Sequence, residues 1–265
     1  MTWAQTLGRR TLLRTVTLLL ACWFGLPLVP LIMWAGAGRW AFPALLPQRW
    51  SFHGVTTAVA DGGVTAFARS ALLALVVTAV ATPLGGLAGF GLARRRAWSP
   101  RVTALILLSP AVLPPFAVSL GLDTVILRTH TPPLVGVVVV LSAVALPYTS
   151  YLMWLAGSAH DPHYAEEART LGATATTAFW RVQLPLLAPA LAGAAFLAFL
   201  VGWSDYIVTL TVGAGQLVTV PLLLASYTSS VGNESVVAVL ALAGVVPPLV
   251  FYLLLNRLHP KQVRT

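Results

Sequence analysis

The sequence predicts an all-α membrane protein, a polytopic bundle of about six transmembrane helices. Hydrophobic residues make up 58% of the 265 positions and charged residues only 9%, whereas a soluble domain carries roughly a quarter charged residues. The apolar residues fall in long blocks, and a transmembrane helix needs about 20 largely apolar residues. Most basic residues lie between these blocks. Composition, block length and charge placement therefore indicate the same fold class.

Six apolar blocks are long enough to cross a bilayer. In chain order they cover residues 15–35, 64–93, 102–122, 133–157, 186–210 and 235–255. The first block follows three arginines and superficially resembles a signal peptide. It continues past Trp23 without a convincing small-residue cleavage site, so we expect a retained first helix.

The distribution of arginine and lysine predicts the orientation, because cytoplasmic loops carry an excess of both. With the N-terminus inside, the outer segments hold only Arg39, Arg49, Arg69 and Arg128. The inner segments hold Arg9, Arg10, Arg14, Arg94, Arg95, Arg96, Arg101, Arg169, Arg181, Arg257, Lys261 and Arg264. Six spans with both termini in the cytoplasm fit this asymmetry. A net charge of +9 also occurs in nucleic-acid-binding proteins, but here it is explained by the inner loops, and no nucleic-acid partner is expected.

One further apolar segment, from Leu217 to Tyr227, is too short to span. It is about eleven residues long and contains Pro221, which suits a re-entrant or interfacial segment. If it crossed the membrane, the basic C-terminal tail would lie outside, against the charge rule. We therefore expect an outer-face hairpin between the last two spans, and the sequence leaves open whether it is re-entrant or interfacial.

Prolines interrupt several of the predicted spans, and each removes a backbone hydrogen bond. In lipid the freed carbonyls need other partners, so such breaks favour a bundle interior or a water-lined path. Simple packing kinks are an equally good interpretation. Among them are Pro110, Pro114 and Pro115 in the third span, Pro147 in the fourth, and Pro247 and Pro248 in the sixth.

The second span carries the pair Gly85-x-x-x-Gly89. Small residues four positions apart lie on one helix face and permit the close approach of a second helix. We therefore expect a helix-packing face at this pair, although the motif alone is weakly specific.

The inner loop between the fourth and fifth spans is unusually polar, with three of the seven acidic residues of the chain. Asp161 is a good N-cap and Pro162 suits the first helical position. Gly172 can end the helix in a left-handed conformation, and Thr174 can cap a second helix that leads into the fifth span. Such a loop is either a docking ridge for a soluble partner or a solvated connection, and the helix signals leave both open.

The same loop resembles the "EAA" signature of permeases of binding-protein-dependent ABC importers. That pattern is Glu-Ala-Ala, three residues, Gly, nine residues, then Ile-x-Leu-Pro. Two positions depart from it mildly, Glu167 for the first Ala and Val182 for Ile. The residues that match are Glu166, Ala168, Gly172, Leu184 and Pro185. Phe67-x-x-Ser70 at the start of the second span and the arginines at its end also resemble this family, and the resemblance covers roughly residues 64–255.

The resemblance implies a type I importer permease in the bacterial inner membrane. Residues 1–60 would form an N-terminal tail, a first span and an outer loop, residues 61–257 the importer domain, and residues 258–265 a cytoplasmic tail. The loop at 160–185 would dock on a cytoplasmic ATPase dimer. A second permease subunit, homologous or identical, would complete the pathway, and an extracytoplasmic binding protein would deliver the cargo.

The sequence contains no Gly-x-x-x-x-Gly-Lys-Ser/Thr phosphate loop, and its only lysine is Lys261. No cofactor is therefore expected in this chain, and ATP would be bound by the partner ATPase. The chain is expected to be a transport subunit rather than an enzyme, because its histidines lie in loops without a credible nucleophile.

Asp205 is the best candidate for a polar group on the transport path, since an ionisable residue near a span is a functional candidate by default. Trp203, Ser204 and Tyr206 flank it, and the aromatic pair is equally typical of an interfacial belt. The short basic tail and this motif lean towards the polyamine branch of the family or another small charged solute. His160, His163 and Glu166 have a spacing compatible with metal, but they overlap the docking motif, so no metal site is expected.

Two other classes remain as alternatives. A stand-alone secondary transporter or channel would more often show inverted repeats or paired acids within spans, and neither is clear here. A non-transporting membrane scaffold would explain the spans and the charge asymmetry, but it gives no reason for the spacing of the loop.

Overall fold

Helices form nearly all the regular structure in the computed structural model, which describes residues 3–41, 43–95, 98–161 and 163–258. Pro162, Arg96, Lys261 and Arg264, and with them the predicted cytoplasmic tail, lie outside the described residues. The helices are α1 (Trp3–Gly25), α2 (Leu28–Ala35), α3 (His53–Ala60), α4 (Gly63–Arg95), α5 (Pro100–Leu108), α6 (Pro115–Arg128), α7 (Pro133–Ala159), α8 (His163–Thr170), α9 (Ala175–Ala178), α10 (Leu184–Ser204), α11 (Ile207–Thr211), α12 (Val220–Thr228) and α13 (Glu234–Leu258).

Four helical stretches among the described residues are long and apolar enough to cross a membrane. They are Gly63–Arg95, Pro133–Ala159, Ala175–Ser204 and Glu234–Leu255. The count rises to six if each of two bent helix pairs forms one span. These six candidates correspond to the six predicted blocks, so the all-α membrane bundle is confirmed.

The first and third blocks are bent, and proline explains both bends. Between α1 and α2 the axis turns by 42° at Pro27, which precedes α2, where the sequence had predicted a continuous helix. After α5 and the 3-10 turn Ser109–Val112 the axis turns by 77°, at Pro114 and Pro115, where α6 begins. Proline lacks an N–H and its ring clashes with the preceding turn, so the predicted interruption of the third span takes the form of a sharp corner.

By contact clustering the chain divides into two compact units, of which one comprises Met1–Val64 and Leu224–Gly244. Within this unit a two-stranded antiparallel hairpin, β1 (Ala37–Arg39) and β2 (Arg49–Trp50), follows α2. The sequence did not predict these strands. Gly54 of α3 lies against the backbone of Ser235, where a Cβ would approach its carbonyl carbon to 2.8 Å.

The other unit comprises Thr65–Leu223 and Val245–Thr265. Its main core joins α4, α6 and α7, and α10 packs along α7. Gly85 and Gly89 lie so close to α7 that a Cβ on either would collide with Thr149, Ser150 or Trp154. The Thr149 hydroxyl donates to the Ala81 carbonyl across this contact at 3.2 Å. The glycine pair is therefore a helix-packing face, as predicted.

A second cluster in the same unit holds α12 in place. It contains Phe199, Trp203 and Val220, with Phe67 packed against them. The Val220 N–H donates to the buried Ser70 hydroxyl at 2.8 Å. The nine-residue α12 is too short to span, in agreement with the prediction for the segment from Leu217 to Tyr227.

Candidate functional site

The polar loop begins at the end of α7 with a side-chain cap. Asp161 Oδ1 accepts a hydrogen bond from the His163 N–H at 3.0 Å. An acceptor at this position satisfies one of the backbone donors that the first turn leaves unpaired. The start of α8 at His163 therefore follows from the residue type at 161, as the sequence predicted.

The end of α8 is a Schellman motif centred on Gly172. The Ala173 N–H bonds to the Ala168 carbonyl at 3.0 Å and the Gly172 N–H to the Arg169 carbonyl at 3.0 Å. This double closure requires a left-handed residue at the position after the cap, and Gly172 has φ +92°. The predicted glycine turn is present.

The surroundings of Gly172 are open. No atom lies within 4 Å of the position that a Cβ would occupy. The described residues therefore give one reason for glycine here, the backbone conformation, and no steric one. A partner that approaches the backbone closely would supply a second reason.

Beyond the turn, a second cap leads into the long helix. Thr174 Oγ1 accepts from the Thr177 N–H at 3.2 Å, so α9 begins where the sequence placed it. A π-helical turn, Phe179–Gln183, joins α9 to α10. Leu184, at the start of α10, is half-buried and Pro185 is exposed, so the last two residues of the signature begin the helix that becomes the fifth span.

The two faces of α8 differ sharply. Ala165 is 5% exposed, and Ala168 is half-buried, so the small side chains three residues apart lie against the protein. The Glu166 side chain is 68% exposed and Glu167 is also exposed. The outward face is thus acidic while the inward face is small and apolar.

Large apolar side chains accompany these acids at the surface. They are Tyr164, Leu171 and Trp180, each more than half exposed. Exposed aromatic and aliphatic groups next to charges are typical of protein–protein contact surfaces. We refer to Tyr164, Glu166, Glu167, Leu171, Gly172 and Trp180 as the loop surface.

The histidines of the loop do not converge on one point. His163 Nδ1 lies 3.5 Å from Glu166 Oε2, while the His160 ring packs against Tyr164 with centroids 5.9 Å apart. Among the described residues no group of three or more His, Cys, Asp or Glu side chains is placed to hold a metal ion.

Asp205 lies at a break in the helix rather than inside it. The sequence predicted a fifth span to residue 210, but α10 ends at Ser204 and Asp205 is extended, with ψ 132°. Its Oδ1 accepts from the Val208 N–H at 3.3 Å, and its Oδ2 accepts from the Thr209 N–H and the Thr209 hydroxyl, both at 2.8 Å. Asp205 therefore caps the short helix α11, and both carboxylate oxygens take part.

The residues around Asp205 divide between a cavity and the core. Ser204, Asp205 and Tyr206 line a cavity of about 460 Å³ together with residues of α7. Trp203 lies in the core instead, 5% exposed and stacked on Phe199 at 6.1 Å. The structure thus brings three of the four predicted pathway residues together and separates the fourth.

Sequence reasoning missed Tyr148. This residue of α7 lines the Asp205 cavity and a second cavity of about 180 Å³ beside Pro110 and Leu113. The available signal was the neighbouring Pro147, which marked this part of the span as irregular. No local pattern connects Tyr148 to Asp205, because their proximity arises from the packing of α10 on α7.

The family model described as "Binding-protein-dependent transport system inner membrane component" matches residues 81–264. The trehalose transport system permease protein SugB of Mycobacterium tuberculosis is 28% identical over 204 residues, 73% of this chain and 72% of that protein. The molybdenum transport system permease protein ModB of the same species is 32% identical over 204 residues, 69% of this chain and 76% of that protein.

Among solved structures, the chain is similar to one from a bacterial ABC transporter involved in the import of the acidic polysaccharide alginate. The TM-score is 0.73 at 16% sequence identity, over 98% of this chain and 99% of that one. At this identity the similarity establishes the fold.

Proposed function

This chain belongs to the family of inner membrane components of binding-protein-dependent transport systems, and we propose that it couples a transport path to a separate ATPase through the loop at 160–185. It is the permease component of an ABC importer and a multi-pass membrane protein. The question that the proposal answers is which surface of the chain receives the ATPase.

The loop surface is the observation that supports this proposal. It combines exposed carboxylates, exposed apolar side chains and a glycine whose side-chain space is open. A cleft on the ATPase with basic and apolar walls would complement it. Glu166, Glu167, Ala168, Gly172, Leu184 and Pro185 are the residues proposed to form or position this docking segment.

The route from the loop to the membrane is short. The helix α8 packs on the π-helical turn, which continues directly into α10, and α10 lies along α7. A displacement of α8 by a closing ATPase would therefore reach α10 and α7, whose side chains enclose the Asp205 cavity. Coupling through packed helices of this kind needs no flexible linker.

The remaining partners are proposed on the family relationship. A second permease subunit would complete the pathway, a cytoplasmic ATPase dimer would bind ATP, and an extracytoplasmic binding protein would present the cargo. Both termini of this chain would lie in the cytoplasm, because that orientation places the basic residues inside. The lipid bilayer surrounds the spans.

The transport path is proposed to pass the cavity of Ser204, Asp205 and Tyr206, with Trp203 supporting it from the core. The charged, polyamine-type cargo stays a prediction. The carboxylate of Asp205 is engaged in capping α11, so it lends this cargo no additional support.

A matched pair of glycine substitutions tests the docking proposal. Gly172 and Gly232 have φ of +92° and +94°, and at neither residue does an atom lie within 4 Å of the position that a Cβ would occupy. Asn tolerates the left-handed region better than other side chains. Gly172→Asn should thus keep the turn but place a side chain on the loop surface, while Gly232→Asn makes the same change outside it.

The measurement is co-purification of an ATPase after co-expression of this chain with its neighbouring genes, together with uptake in proteoliposomes. We expect Gly172→Asn and Glu166→Lys to lose both, and Gly232→Asn to keep both. Retention of ATPase association and uptake in Gly172→Asn and Glu166→Lys would exclude the loop as the docking site. Uptake without any associated ATPase would instead favour a stand-alone transporter.

A further inference from the structure

The segment that follows α2 has an unusual surface. Residues 36–60 contain the β1–β2 hairpin and α3, and they carry two arginines and no acidic residue. Trp34 at the end of α2 packs against Trp40 with ring centroids 4.9 Å apart, which fixes the hairpin to the helix end. Because α2 forms the end of the first candidate span, the hairpin is expected at a membrane surface.

The two arginines face each other across the hairpin. Arg39 and Arg49 are register partners in the antiparallel pair, next to a register shift between Ala37 and Arg39, so their backbones lie opposite each other. Like charges directly opposite each other destabilise a strand pair. Both residues are exposed, and within the described part of the chain neither guanidinium forms an ion pair. This arrangement is suited to an anion that binds between them.

Three hydrogen bonds join described residues of the loop between the strands. The Gln48 side-chain amide accepts from the Ala41 N–H and donates to the Ala41 carbonyl, both at 3.0 Å. The Trp40 indole N–H donates to the Ala44 carbonyl at 2.9 Å. Between these bonded residues, Leu45 is 90% exposed and Leu46 65% exposed. Two adjacent leucines of the loop are therefore presented to the surroundings.

The short helix α3 adds an apolar stripe. Val55 and Val59 are exposed and lie four residues apart on one helix face, and Phe52, the residue before the helix, is exposed as well. The opposite face, with Gly54 and Ala58, is buried. A helix with one face packed on protein and an exposed apolar face matches a segment that lies in the membrane interface.

We propose that this segment is a binding site for an anionic phospholipid at the end of the first span. Arg39 and Arg49 bind the headgroup phosphate, and Leu45, Leu46 and the α3 stripe enter the acyl boundary. Arginine suits phosphate because its planar guanidinium donates two parallel hydrogen bonds. The inference rests on the proposed membrane-spanning function, and in the orientation proposed above the lipid belongs to the extracytoplasmic leaflet.

Charge complementarity and position favour lipid over a protein partner. The exposed leucines adjoin a membrane-spanning helix, so they meet the interface without any further association. An anionic headgroup supplies the negative charge that the segment itself lacks. A binding protein seated on the hairpin is the competing occupant, and the experiment includes it.

The test uses the intact importer in detergent micelles. The single cysteine, Cys22, is replaced by Ser, and Ala44→Cys carries a fluorescent label beside the loop. Micelles are titrated with spin-labelled phosphatidylglycerol or, separately, spin-labelled phosphatidylcholine, and quenching of the label is recorded. The variant is Arg39→Gln with Arg49→Gln, and the control Arg69→Gln with Arg128→Gln removes equal charge elsewhere.

We expect phosphatidylglycerol to quench at lower concentration than phosphatidylcholine, and the hairpin variant to weaken this preference on the order of tenfold. The control should leave it unchanged. Equal quenching by both lipids, or an equal effect of both double variants, would overturn the proposal. So would a hairpin variant that keeps the lipid preference but loses binding-protein association. Retained ATPase co-purification shows separately whether the proposed function holds.

Discussion

Thr149 of α7 occupies the space that a side chain on Gly85 of α4 would need. The Thr149 hydroxyl also donates to the Ala81 carbonyl one turn away. The two helices are therefore in contact through backbone atoms and one interhelical hydrogen bond. Lipid provides no hydrophobic driving force between helices, so close packing of this kind stabilises the bundle.

Gly85→Ala is expected to destabilise the protein, because its Cβ would overlap Thr149 and overpacking costs about 1–3 kcal/mol. Gly91→Ala in the same helix is the control, since no atom lies within 4 Å of its Cβ position. Alanine is the better helix former by about 1 kcal/mol, so Gly91→Ala should be neutral or stabilising. Unfolding in detergent measures both, and equal stability changes would contradict the packing assignment.

Asp205→Ala is expected to lower the free energy of unfolding by about 1 kcal/mol, because α11 loses its cap. Asp205→Asn should cost less, since asparagine caps nearly as well, and Thr209→Val removes only one of the three hydrogen bonds. Uptake kinetics separate capping from transport. Unchanged uptake in Asp205→Asn would remove the carboxylate charge from the transport path.

The Tyr227 hydroxyl donates to the Asp61 carboxylate. This hydrogen bond, with burial and the negative charge of Asp61, raises the pKa of Tyr227 to about 12 from 10.0. Because the pKa of Tyr227 is higher in the folded state, the protonated hydroxyl stabilises the fold fully below pH 10. This stabilisation is lost as the pH rises through about 12. Tyrosinate absorbance measures this titration, with the Tyr227→Phe variant subtracted to isolate the one tyrosine. In Asp61→Asn the pKa of Tyr227 should fall towards 10. A pKa that is the same with and without the Asp61 carboxylate would refute the assignment.

Thiol labelling in intact cells tests the orientation. In a Cys22→Ser background, Ser229→Cys should react with a membrane-impermeant reagent from outside, because the turn between α12 and α13 is expected on the outer face. Thr170→Cys in the exposed α8 should react only after permeabilisation. Both positions are exposed, so a reversed pattern would mean that the charge asymmetry assigns the wrong side.

The polar loop at 160–185 was predictable because its signals are local. Asp161, Gly172 and Thr174 each act through hydrogen bonds to residues within five positions, and capping rules describe such contacts. Apolar block length likewise predicted the spans, since a bilayer imposes one thickness on all of them.

The breaks and the outer segment were harder to predict. The chain around Asp205 has no proline, and the apolar run continues on both sides, so only the carboxylate bonds to Val208 and Thr209 reveal the end of α10. The β1–β2 hairpin depends on hydrogen bonds between the Gln48 side-chain amide and the backbone of Ala41, seven residues away. Tyr227 and Asp61 are 166 positions apart, beyond any local pattern.

The π-helical turn Phe179–Gln183 affects how the loop at 160–185 tolerates changes in length. A π turn holds one residue more than the corresponding α turn, so a single-residue deletion there would restore α geometry with the flanking helices facing as before. A deletion within α10 would instead rotate α8 by roughly 100° about the axis. Homologues that differ by one residue at this turn can therefore present the same acidic face.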